Sequence, residues 1–350
     1  MNHINIKKYI GIALLTITLS GCSDILEETP RSIYTPEYFK TENGVKGGIT
    51  SLYANLRTMY GNGYYYASTQ SGTDESTYGS NVNADSKVSD FSGVGNFTAT
   101  TNPAAAVWGV FPYINTASGI IENGEAVGIA SSLLAEARFF RAFNYFMLVQ
   151  TFGGVPLDLG AGPLKFNTGT SRTSVRNTVP EVYTKAIFPD LLKAVADLPD
   201  APRLKGTVTK TVARLFLAKA YLTYGWWLEN PNSIPTYPLC DRKDLDAHNA
   251  VWYYQQAYDV ANQGIDNAGG NYGLQATYYD VNLGANDYNK ECMLYADHNS
   301  KSDLYNGAMV TGFAPGDVGG NLTPWLTQFS YPDIRSSSTS SGWTAFSSVQ

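Results

Sequence analysis

Ala135-Glu136-Ala137-Arg138-Phe139-Phe140-Arg141-Ala142, continuing to Phe152-Gly153-Gly154-Val155-Pro156-Leu157, is the stretch whose reading decides the fold. Its spacing predicts a helix from Ser131 to Phe152. Ala135, Phe139, Ala142, Phe143, Phe146 and Val149 recur at three- and four-residue steps along one face, and Leu133, Ala137, Phe140 and Met147 make a second. A helix apolar on two faces belongs between neighbours rather than at a surface. Arg138 and Arg141 occupy the narrow polar strip between those faces. A guanidinium there satisfies carboxylates or helix carbonyls between packed helices, the alternative being an anion clamp. Gly153 and Gly154 supply left-handed positions after the helix, and Pro156 prevents its continuation.

Outward from this helix the same periodicity recurs. Val45, Ile49, Leu52, Leu56 and Met59 predict a helix over Glu42 to Tyr60, and another begins near Pro103 with Trp108, Phe111, Ile114, Ile120 and Ile121. Three more are expected at Val179 to Leu198, Thr209 to Leu228 and Val251 to Asn267. In the middle one Ala213, Ala218 and Ala220 are small enough for close approach of a partner helix. Helices of similar length joined by Gly/Pro breaks read as tetratricopeptide-like hairpins, without strict periodicity. The fold class is therefore mainly α, with a few short strands, one of them at Cys292-Met293-Leu294-Tyr295. Trp226-Trp227 closes a helix and reads as packing. Residues 61–102 break the pattern and form a long excursion rich in Gly, Ser, Thr, Asn and Tyr, including Tyr64-Tyr65-Tyr66. Loops of that length in a compact domain are usually functional or disordered, and the aromatic content here favours order.

The first 21 residues read as a signal peptide: Lys7 and Lys8, then an uncharged run from Tyr9 to Ser20, then Leu19-Ser20-Gly21-Cys22. The apolar run is too short to span ~30 Å of hydrocarbon. Small residues directly before a cysteine resemble a bacterial lipoprotein box, in which the Cys22 thiol receives lipid and becomes the new N-terminus. Residues 22–41 then form a lipidated, acidic tether, and residues 42–350 one helical domain with the insertion at about 61–102. The ending at Ser347-Ser348-Val349-Gln350 closes no element, so a C-terminal part is expected to be missing.

Charged residues make up only 15% of the chain while tyrosine reaches 25 residues, a composition that suits neutral polar ligands. A net charge of −6 without a Lys/Arg cluster argues against nucleic acid. Cys240 and Cys292 remain either paired or as two buried thiols, and neither has a histidine at metal-ligand spacing. Asp280, Asn282, Gly284 and Glu291 loosely echo a calcium loop but place Ala285 where glycine is needed. No metal and no cofactor are expected. His3, His248 and His298 form no triad with a serine, and Asp74-Glu75, being sequence neighbours, do not form the pair of facing carboxyls that glycoside hydrolysis requires.

Five pieces in order resemble the SusD/RagB family of outer-membrane nutrient-binding lipoproteins. They are Cys22 with Asp24-Ile25-Leu26-Glu27-Glu28-Thr29-Pro30; Trp108 with Tyr113, Ile114 and Asn115; the 135–157 run; Asp190-Leu191 to Leu198-Pro199; and Gly206-Thr207 through Ala213 to Tyr221-Leu222. The resemblance covers roughly Cys22 to Ala296, and the family is usually considerably longer. It implies a tetratricopeptide-type scaffold with an irregular ligand face. It also implies a non-enzymatic protein, lipid-anchored in the outer membrane and facing the exterior, that binds glycan or another nutrient oligomer. Such proteins sit as a lid on a SusC-like TonB-dependent transporter. The ligand contacts that the resemblance implies map onto Asp74, Tyr78 and Asn81, with Tyr305 and Trp325 as further platform aromatics. The alternatives are a tetratricopeptide-type protein-interaction scaffold and a surface glycosidase.

Overall fold

Two apolar faces on one helix demand neighbours on both sides, and the tertiary structure supplies them. A computed structural model describes residues 36–60, 76–78, 105–160, 175–286, 288–296 and 346–348. Its helices are α1 (Glu42–Tyr60), α2 (Ala105–Trp108), α3 (Phe111–Ala126), α4 (Ser131–Phe152), α5 (Val179–Val182), α6 (Phe188–Asp197), α7 (Lys210–Glu229), α8 (Ala250–Asp266) and α9 (Tyr278–Asn282). Each long helix packs on the next one along the chain, α1 on α3, α3 on α4, α4 on α6, α6 on α7 and α7 on α8. This is the neighbour-to-neighbour stacking of helical hairpins. Among the described residues the only strands are Ser76–Tyr78 (β1) and Phe346–Ser348 (β2), an antiparallel pair with Thr77 opposite Ser347. Cys292-Met293-Leu294-Tyr295, expected as a strand, is irregular backbone. No other described strand lies beside it to complete a ladder, so its backbone has no partner for extended pairing.

The helix starts follow local chemistry. Thr209 Oγ1 accepts the Val212 N–H, Asn249 Oδ1 accepts that of Trp252, and Glu181 Oε2 reaches back 2.9 Å to the Thr178 N–H. Between α5 and α6 the chain runs through a π-helical turn, Tyr183–Ile187, where one unbroken helix was expected. Pro189 lies just beyond it. A proline has no N–H for the carbonyl four residues back and its ring crowds that carbonyl, so the wider turn absorbs the mismatch. Of the two glycines that follow α4 only Gly153 takes a positive φ, of 72°. Gly154, expected to share that role, is glycine for another reason: a Cβ there would lie 2.0 Å from the Asn177 carbonyl oxygen.

The core runs along the stack. Fifteen positions of α4 are buried, including Phe139, Phe140, Phe143 and Tyr145. Much of the tyrosine content goes inside rather than to the ligand face. Tyr183, Tyr221, Tyr224 and Tyr253 cluster around Phe188, and Asp244 Oδ1 accepts the hydroxyls of Tyr224 and Tyr253 at 3.1 and 2.8 Å. Ala213 and Ala220 are fully buried where α7 meets its neighbours, as their size predicts. Trp226-Trp227 divides: Trp227 stacks on Tyr224 at 5.7 Å, while Trp226 stays exposed.

Arg138 and Arg141 fill the structural role. Arg141 Nε and Nη2 donate to Asp190 Oδ2 and Oδ1 at 2.6 and 2.8 Å, and its Nη1 reaches Ser118 Oγ at 3.2 Å. Arg138 Nη1 donates to Asp190 Oδ1 at 2.9 Å, and its Nη2 meets Glu125. One carboxylate on α6 thus ties two guanidiniums on α4. Asp190 is 2% exposed and Arg141 5%. Breaking a buried pair on one side strands the other charge, at a cost of about 3–5 kcal/mol. Asp190→Asn is therefore expected to lower the unfolding free energy by about that amount in urea titrations. An unchanged midpoint would contradict the role assigned here.

Candidate functional site

The other side of α4 carries a second buried carboxylate. Glu136 is 3% exposed and accepts from three directions. Arg203 Nε donates to its Oε1 at 2.8 Å and Nη2 to its Oε2 at 3.3 Å, while the Tyr53 hydroxyl donates to Oε2 at 2.8 Å. Tyr53 Oη also accepts the Val208 N–H at 2.9 Å. Its ring stands edge-on to Phe140, 4.6 Å between centroids. Burial first, and then the Glu136 charge, push the Tyr53 hydroxyl well above its usual range. The hydrogen bond to Glu136 chiefly pushes the Arg203 guanidinium up. The result is a fixed polar plate linking α1, α4 and the α6–α7 loop.

Above that plate lies a cavity of about 510 Å³, walled by Thr50, Tyr53 and Ala54 of α1, by 203–207 and by Tyr288, Tyr295 and Ala296. The rings of Tyr288 and Tyr295 are 4.8 Å apart and inclined at 54°. Lys205 Nζ stands 4.2 Å from the Tyr288 ring centre. Gly206 has φ +87° and lies so close that a Cβ would meet Tyr295 Oη at 2.9 Å, so only glycine serves there. Tyr288 itself has φ 64°, an uncommon conformation for a residue with a side chain, and such strain gathers at ligand clamps. The volume falls within the roughly 300–1,000 Å³ usual for small-molecule sites. Hydroxyls, two cations and tilted rings can hold a polyhydroxylated ligand, with ring faces against its apolar side.

Among the described residues the walls contain no carboxylate. Glu136 lies behind them with both oxygens engaged, so the described residues offer no pair of carboxyls ~5–5.5 Å apart across a sugar. The calcium-like sequence is used otherwise. Asp280 Oδ2 caps Thr277 and Glu291 Oε2 accepts the Gln275 N–H. Cys240 and Cys292 are both free thiols, partly exposed. A second hollow of about 490 Å³ lies between α7 and α8, lined by Leu215, Val260, Ala261, Ile265 and Met293 among others, and is almost wholly apolar. Among the described residues no helix is long and apolar enough to cross a membrane.

Of the residues the sequence pointed to, Cys22, Asp74, Asn81, Tyr305 and Trp325 lie outside the described residues, as do Tyr64-Tyr65-Tyr66. Tyr78 is described only as backbone at the end of β1. The pocket residues Tyr53, Arg203, Lys205, Tyr288 and Tyr295 were not singled out. Their one sequence signal was Glu136, a carboxylate set in an apolar stripe, which demanded a cation from elsewhere in the chain.

Residues 49–222 match the family model for SusD-like proteins described as "Starch-binding associating with outer membrane". Over that span the chain is SusD-like. SusD-like protein P2 of Formosa agariphila is 32% identical over 236 residues, which cover 63% of this chain and 44% of that relative. The chain thus spans less than half the length of that curated SusD-like relative. Among solved structures, one crystallised with xylogluco-oligosaccharide superposes at a TM-score of 0.54, 21% identity, 75% of this chain and 47% of its own. A laminarin-binding SusD-like protein does so at 0.52, 23% identity, 77% of this chain and 53% of its own. A SusD superfamily protein of Bacteroides fragilis does so at 0.53 and 17% identity, covering 75% of this chain and 50% of its own. These likenesses are of fold, and the fold is the SusD-like helical one.

The plate beneath the pocket is testable. Tyr53→Phe leaves the Val208 N–H and one Glu136 lone pair without their partner, so stability is expected to fall by about 1–3 kcal/mol in chemical denaturation. A variant as stable as the parent would mean that the hydroxyl does not hold the 203–208 loop to α4.

Proposed function

We propose that this chain is a non-catalytic, cell-surface lipoprotein that binds an oligosaccharide. The observation that carries the reading is the pocket of Tyr288 and Tyr295, ring-walled and without a carboxylate among its described residues, on a SusD-like scaffold. Aromatic faces cover the apolar side of a pyranose, and fixed hydroxyls and cations meet its hydroxyl groups. That relatives are described as starch-binding, laminarin-binding or crystallised with xylogluco-oligosaccharide supports the ligand class.

The rest of the reading follows from the sequence. Cys22 carries the lipid that moors the protein in the outer membrane, facing outward. Asp74, Tyr78, Asn81, Tyr305 and Trp325 add ligand contacts, and the bound oligosaccharide passes to a SusC-like TonB-dependent transporter. A second reading, a protein-interaction scaffold, is favoured by the apolar hollow between α7 and α8, which offers a sugar almost no hydrogen bonds.

Isothermal titration against a glycan panel tests the ligand class. At least one oligosaccharide is expected to bind, without release of reducing ends, and Tyr288→Ala or Tyr295→Ala to weaken it about three- to ten-fold. A peptide that binds where every glycan fails would move the chain to the scaffold reading. Anchoring is read separately by fractionation. Cys22→Ala should leave the membrane pellet for the soluble fraction, since it removes acyl chains that contribute ~0.8 kcal/mol per buried CH₂. Retention in washed membranes would count against a lipid at that cysteine.

A further inference from the structure

The charge in the pocket runs against that of the chain. The whole sequence carries −6, yet among the described residues the walls hold Lys205 and Arg203 and no acid. Glu136 neutralises Arg203, to which it is bonded through Nε and Nη2. Arg203 Nη1 has no hydrogen-bond partner among the described residues. Lys205 is exposed and makes no ion pair among them. What it touches is the Tyr288 ring, and a ring quadrupole attracts a cation without cancelling its charge. Among the described residues the walls therefore keep about one net positive charge beside two aromatic faces.

A neutral sugar seated there would cover Lys205 and strip part of its hydration while returning no opposite charge. A sugar bearing an anion returns one. That difference is how a site discriminates between ligands of the same shape. We propose that the Tyr288–Tyr295 pocket takes an acidic saccharide, one bearing a carboxylate or a sulfate ester, whose anion meets Lys205 and the free edge of Arg203. This rests on the glycan-binding reading and sharpens it from oligosaccharide to anionic oligosaccharide. Gly206 lets the loop carrying both cations lie against Tyr295, so the charge and the stacking rings address the same sugar unit.

The test is titration of the full chain with oligosaccharides matched in backbone and differing in charge: neutral, uronate-bearing and sulfated. The anionic members are expected to bind about three- to ten-fold tighter than the neutral one at low salt. The preference should shrink as salt is raised, because an exposed pair is screened. Whichever of the two anionic arms is tighter identifies the anion. Lys205→Gln should abolish the preference without shifting the thermal midpoint, and Lys205→Arg should keep it. Equal affinity for neutral and anionic members, or a preference that survives Lys205→Gln, overturns this inference and leaves the glycan reading standing. If no saccharide of any charge binds, the glycan reading falls and this inference with it.

Discussion

Asp190 is the point on which the stack depends. It is a single carboxylate on α6, 2% exposed, and it receives three hydrogen bonds from Arg138 and Arg141 of α4. A charge that deep is tolerable only when its partners are fixed, and here they are fixed by two aromatic faces of α4 packed against neighbours. The linkage runs further. Arg141 also bonds Ser118 on α3, and Ser118 Oγ donates to the Asp158 carbonyl at 2.8 Å. Three helices and the segment after α4 are thus held in one register by directional contacts. Apolar packing alone would allow them to slide, because dispersion and burial are not directional.

The tyrosine-walled cavity is built on the same helix from its opposite polar edge. Glu136 does for α1 and the 203–208 loop what Asp190 does for α3 and α6. Each gathers cations and hydroxyls from elements distant in sequence. The two networks differ in where they end. The Asp190 network runs through Arg138 to the exposed Glu125 carboxylate, whereas the Glu136 network opens through Arg203 onto a cavity walled by tyrosines. A rigid floor of this kind is what a binding site needs, since a ligand then loses little affinity to ordering the protein.

The helices were legible because each carries a period. α1 and α4 have the predicted ends, and α7 and α8 lie within a residue of theirs. Proline chemistry explains the departure at Tyr183–Ile187, which a periodicity count cannot register. The role of Arg138 and Arg141 was also legible, because a cation between two apolar stripes has few other uses. The pocket was not. Tyr53, Arg203 and Tyr288 meet across more than a hundred residues of chain, and single residues on irregular segments leave no periodic trace. Lys205 and Gly206 look like an ordinary turn until Tyr295 is placed against them. The ligand residues expected by resemblance lie in other segments, so the pocket adds to that expectation without replacing it.

The central claim is that a helical stack held by buried carboxylates presents a pre-formed ring-walled pocket for sugar. Hydrogen–deuterium exchange with and without a saturating oligosaccharide tests it most directly. The account requires that ligand slow exchange at 203–208 and 288–296 while α4 and α6, already closed by the Asp190 network, exchange at the same rate in both states. Sugar binding that leaves 203–208 and 288–296 unprotected, or that slows α4 and α6 instead, would contradict it.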